Sequence, residues 1–333
     1  MKERNYTIDL LRVLGTFTVI MAHIDPPNLL FQIRAFDVLM LVFISGMSFV
    51  GSSKYTYKEY LIRRCDRLLK PTYICMTTLF LLCYACCSLL NKEQLYTIED
   101  IGYSFILSDH GMGYIWIVKV YLLIALFSPF LNKVCKNTKI TWSAPFLFII
   151  AIALQHVLLN ITPLRGNILF SDYLLYIIPY CLVAYIGMLW NDITNLTKLL
   201  IIGISFTGVM IHLYIDGSFA PNSYKFPADY QYVSYGVLGS VVTYGIAKCA
   251  SGVLKKADKY NVCKFLSINS FNIYLCHIII MLAFNMITKA LKIYCLNTFI
   301  VHYIIVLFAS ILLTVVINIV KSKIKKHEQL IYK

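Results

Sequence analysis

Ten stretches of roughly 17 to 25 mostly apolar residues run through the chain, near 7–26, 34–52, 71–90, 113–132, 143–160, 172–190, 198–214, 230–249, 269–288 and 297–320. Each is long enough to cross a hydrocarbon core as an α-helix, and in lipid only a helix or a closed barrel satisfies every backbone polar group. The sequence therefore predicts an all-α polytopic membrane protein of about ten transmembrane helices, with residues 1–333 forming one transmembrane domain. Hydrophobic residues make up 59% and charged residues 14%, which excludes an ordinary soluble domain. A net charge of +14 would suit nucleic acid only on a solvated basic face. Here Lys and Arg fall in short runs between the apolar stretches, so the expected surroundings are membrane lipid and no nucleic acid.

An even number of spans places both termini on one side. Grouped alternately, the connections that include the termini carry 22 Lys and Arg and the other set carries 6. By the positive-inside rule both termini are cytoplasmic, as expected of a multi-pass protein of the cytoplasmic membrane. The external connections are too short for a soluble extracytoplasmic domain. Asp9 and Arg12 interrupt the first apolar run and no small-residue cleavage site follows, so it reads as a retained helix and not a signal peptide. The basic segment 54–70 reads as an amphipathic helix on the cytoplasmic membrane surface. Most cysteines lie inside apolar runs as small hydrophobes, and no metal site is expected.

Two cationic residues remain inside the spans, Arg12 and Lys119. The first helix also carries Asp9 and His23, and an intramembrane ionisable group is by default a functional hypothesis. Arg12 and His23 are eleven residues apart, close to three turns, so they share a face about 16 Å apart along the axis, with Asp9 placed to pair with Arg12. His23 reads either as a buried base or as an interfacial histidine satisfied at the helix end. Ser270, Tyr274 and His277 follow helical spacing in a late span, with His277 near mid-membrane, either a second catalytic histidine or a hydrogen-bonded support. His156, His212 and His302 have no partner pattern and read as packing residues. Arg64 and Arg67, one turn apart, offer forked donors for phosphate or serve as a topology signal to lipid headgroups. Lys119 lies one turn beyond Trp116: it either snorkels to the outer interface or joins Trp116 in an acceptor pocket.

Several blocks, in order, resemble the acyltransferase 3 family of integral membrane proteins, which O-acylate surface polysaccharides and related acceptors. "IDLLRVLGTFTVIMAH" (8–23) is similar to its first helix, with Asp9, Arg12 and His23; "FDVLMLVFISGMSF" (36–49) to its second, ending in Ser45-Gly46. "RRCDRLLKP" (63–71) matches an Arg-x-x-Arg followed by Pro through Arg64, Arg67 and Pro71. "YIWIVKVYLLIALFSPFL" (114–131) and "INSFNIYLCH" (268–277) resemble its Trp-containing and late His-containing helices. The resemblance implies an acyl-CoA donor, with acetyl-CoA the expected one, bound from the cytoplasm by Arg64 and Arg67. It further implies a hydroxyl of a cell-envelope glycan or lipid-linked sugar as acceptor. His23 would act as catalytic base, with Arg12 and Asp9 beside it. Apart from the resemblance, Trp116, Lys119, Ser45, Tyr274 and His277 are the expected substrate-facing residues. The rival is a secondary transporter of a small polar or anionic solute, which commonly shows related halves; none is visible in this sequence.

Overall fold

The computed structural model describes residues 5–49, 55–89, 91–136, 143–161, 166–293 and 298–331, with side chains to residue 324. Among the described residues the regular elements are helical, and the sole β feature is an isolated bridge between Lys225 and Ala228. The main helices are α1 (Tyr6–Ala22), α2 (Asn28–Ile33), α3 (Asp37–Phe49), α4 (Tyr57–Leu89), α5 (Ile98–Phe105), α6 (Trp116–Cys135), α7 (Ala144–Leu159), α8 (Leu175–Leu189), α9 (Asn195–Asp216), α10 (Tyr230–Ala257), α11 (Val262–Leu291) and α12 (Phe299–Ile331). Every apolar run of the sequence overlaps one of them. Among the described residues eight helical spans, α2 and α3 counting as one, are long and apolar enough to cross a membrane. The other two, α1 and α7, have 17 and 16 residues.

The basic segment is not a separate surface helix. It continues through Pro71 into the third span as one helix of 33 residues, about 50 Å long. Its Arg, Lys, Leu and Glu residues are good helix formers. Pro71 has no amide hydrogen to give the Arg67 carbonyl four residues before it, yet the helix runs on through it.

The chain forms two compact units. Unit 1 joins Met1–Pro27 to Val253–Lys333, and unit 2 is Asn28–Gly252. In unit 2, α8 packs against α3, α6 and α7, and α4 packs against α6. The α3–α8 contact depends on two glycines: a Cβ at Gly46 would lie 2.1 Å from the Ala184 carbonyl oxygen, and one at Gly187 would lie 2.1 Å from that of Phe43. Such backbone approach is how helices associate in lipid, where apolar side chains gain little by leaving the acyl chains. In unit 1, α11 packs against α1 and α12.

Candidate active site

Unit 1 carries the first helix's ionisable residues. Asn5 caps α1 by accepting from the Thr7 and Ile8 amides, and α1 ends at Ala22, which leaves His23 as the cap residue just past it. Asp9 is buried and accepts from the Ser267 hydroxyl at 2.7 Å. Arg12 donates to the same hydroxyl at 3.3 Å and stands 3.9 Å from the Asp9 carboxylate. Ser267 thus bridges the expected Asp9–Arg12 pair, so that neither charge is buried alone. At the other end of α1, His23 Nδ1 lies 2.8 Å from Nε2 of the fully buried His277, with the two rings nearly parallel. Nδ1 of His277 donates to the Tyr274 carbonyl, and the Tyr274 ring lies beside both imidazoles.

These contacts define tautomers. A carbonyl only accepts, so Nδ1 of His277 carries a proton, and with both rings neutral its Nε2 is an acceptor. His23 then donates from Nδ1, and its lone pair sits on Nε2. Asp9 and Arg12 meet Ser267 while His23 meets His277, so α1 and α11 run parallel with two polar rungs about 15 Å apart. Of the expected late stripe, Tyr274 and His277 take part. Ser270 is half-buried and Ser267 takes the place beside Asp9.

Unit 2 carries the arginine pair. Tyr60 packs into a cluster with Phe49, Ala125 and Met188, and the Arg64 guanidinium lies 5.4 Å from the Tyr60 ring centre. Arg67, one turn on, is exposed. Ser45 is half-buried on α3, one residue before the close contact at Gly46.

Lys119 does not snorkel. It is 2% exposed, its ammonium is 2.7 Å from Asp109, and it lies 4.0 Å from the centre of the Tyr176 ring. Tyr176 donates to the other Asp109 oxygen at 2.7 Å, and the Asp109 amide donates to Asp172, which also accepts from Ser108. The lysine is therefore committed to a part-exposed carboxylate on the connection before α6. Trp116 meets Phe226 edge-on and has the Lys225 ammonium 4.7 Å from its ring. Two histidines read as packing residues have acidic partners instead: His156 is 3.0 Å from Asp229, and His212 is 2.6 Å from Asp216. His302 does pack, stacked on Phe284. Sequence reasoning missed Ser267, Asp109, Asp172 and the buried Arg34–Asp37 pair at 2.8 Å. Asp37 had a visible signal, a lone carboxylate opening the apolar run "DVLMLVFI".

A many-helix membrane protein with ionisable side chains paired inside its helices is the class this architecture defines. A family model described as an acyltransferase domain, Acyl_transf_3, matches residues 5–319, and the chain belongs to the acyltransferase 3 family. It is a membrane acyltransferase. No curated protein and no solved structure matches the chain significantly.

Proposed function

We propose that the protein moves an acetyl group from acetyl-CoA to a hydroxyl of an envelope glycan or lipid-linked sugar, with His23 as general base. The observation that carries this reading is the His277–His23 hydrogen bond, which places the lone pair of a neutral His23 on Nε2. The acceptor hydroxyl gives its proton to that nitrogen as its oxygen attacks the thioester carbonyl. The carbon–sulfur bond then breaks, and the leaving thiolate takes up the proton. His277 is the positioning residue, because its acceptor nitrogen keeps the His23 proton on Nδ1. Arg12, held by Ser267 and Asp9, supplies fixed positive charge on the same helix. Arg64 and Arg67 are the groups suited to donor phosphates, since a planar guanidinium can donate two parallel hydrogen bonds to one phosphate.

The test is thiol release from acetyl-CoA by purified protein given membrane-derived acceptor. His23→Ala should lower transfer by about 10² to 10⁴, the range of a lost general base. Transfer within tenfold of the parent, at equal yield of folded protein, rules the base role out.

A further inference from the structure

The acyl-transfer reading leaves one set of charged groups in unit 2 unused. It lies at the opposite end from the arginine pair: Tyr60 is anchored by Phe49 and Met188 late in α3 and α8, whereas this set gathers around Asp37 and Tyr180 early in the same helices, about 12 to 18 Å away along them. Its centre is Lys225, which is 7% exposed. The backbone around it is tied down on both sides. The Asn222 amide donates to Gln32, the Asn222 side chain donates to the Phe31 carbonyl, and Gln155 donates to the Ala228 carbonyl at 3.0 Å. Held this way, Lys225 points inward, its ammonium over Trp116 and 5.2 Å from the Phe226 ring centre.

Among the described residues the Lys225 ammonium makes no ion pair and no hydrogen bond, and its contacts are with the two rings. The nearby carboxylate, Asp37, is already bonded to Arg34, and Arg34 Nε has no partner. The hydroxyls of Tyr180 and Tyr232, both within electrostatic reach of Asp37, are buried and likewise without partners. Two cations face one carboxylate, which leaves a surplus of one positive charge. Burial pushes the Lys225 ammonium down to about 8 against the pull of Asp37, a cost that an arriving anion would relieve. Buried donors and hydroxyls left open between aromatic rings describe a ligand site more naturally than a core, where such groups are ordinarily satisfied.

We propose that this cluster binds a hydroxylated ligand carrying one anionic group, a uronate-type sugar, its carboxylate on Lys225 and its hydroxyls on Tyr180 and Tyr232. Naming that ligand the acyl acceptor rests on the acyltransferase reading; the binding site itself does not.

The test is thermal unfolding of the full chain in detergent, titrated with methyl β-glucuronide, methyl β-glucoside and inorganic phosphate. Glucuronide should stabilise saturably, with the glucoside and phosphate each at least about tenfold weaker, a difference of about 1.4 kcal/mol. Lys225→Met should remove the preference for glucuronide, Lys225→Arg should keep it, and Tyr232→Phe should weaken both sugars alike. No response to glucuronide, an equal response to the glucoside, or parental binding by Lys225→Met overturns the proposal, and an equal response to phosphate reduces the cluster to a bare anion site and overturns it too. If Lys225→Met does not fold, the parent's glucuronide preference and its retention in Lys225→Arg decide. Glucuronide binding without any acetyl transfer sinks the acetyl-transfer reading and leaves the site standing; transfer without glucuronide binding does the reverse.

Discussion

Unit 1 and unit 2 hold their helices together by different means. In unit 1 the contacts are hydrogen-bonded rungs: Ser267 between Asp9 and Arg12, His277 on His23, Asn318 donating to Asn269 at 2.9 Å and Tyr303 to the Phe17 carbonyl at 3.2 Å. In unit 2 the central contact is shape, Gly46 and Gly187 letting the α3 and α8 backbones meet. Polar rungs place ionisable groups inside the helices at defined heights, so the device that joins unit 1 also positions its candidate chemistry. A glycine contact positions nothing chemical, but it fixes the frame against which Tyr60 packs, through Phe49 of α3 and Met188 of α8.

The contrast breaks first if α3 and α8 tolerate a side chain between them. Gly187→Val should abolish folded protein, because the new Cβ falls within van der Waals overlap of a backbone oxygen that cannot yield without separating the helices; a monodisperse peak at parental yield in size-exclusion chromatography would refute the contact. Next is Lys119→Met, which removes the buried partner of a part-exposed Asp109 and should destabilise by about 2 kcal/mol, as for a lost hydrogen bond to a charged group. Thermal unfolding checks it, and Lys119→Met with Asp109→Asn should recover part of the loss. Ser267→Ala removes one rung and should cost about 1.5 kcal/mol in the same assay, typical of a hydrogen bond to a charged group. A cost matching Gly187→Val would mean that unit 1 depends on its rungs as heavily as unit 2 depends on shape. The smallest effect belongs to Arg64→Lys and Arg67→Lys, expected to weaken acetyl-CoA binding by about tenfold, or 1.4 kcal/mol, with unfolding unchanged. Parental donor affinity in calorimetry would leave the pair a topology signal.

Length and apolarity made the helices legible, because lipid permits little else. The first helix's Asp9, Arg12 and His23 stood out for the same reason: ionisable groups in an apolar run are conspicuous. Their partners were not, since His277 and Ser267 lie about 254 and 258 positions away and nothing local pairs them. Ser267 was nevertheless within reach. Seven residues before Tyr274, it lies on nearly the same helical stripe as Ser270, one turn earlier. For Lys119 depth alone left snorkelling open beside the pocket, and Asp109 enters only when the connection before α6 folds back on it. Lys225 entered only as one of the six cations of the less basic set of connections, because charge counts register number and not direction.

The unbroken α4 also sets an angular phase. At 100° per residue, the direction in which Arg64 and Arg67 face is fixed by how many residues separate them from the span that follows, with Tyr60 as a second fixed point four residues before Arg64. The pair behaves like marks on a rigid shaft: one residue added or removed within 68–70 turns both guanidiniums through more than a quarter circle without altering their charge or their spacing. The phosphate recognition proposed for this pair would thus depend on helix register as much as on residue identity, and the stretch between Arg67 and Pro71 is constrained in length as well as at the buried Leu68.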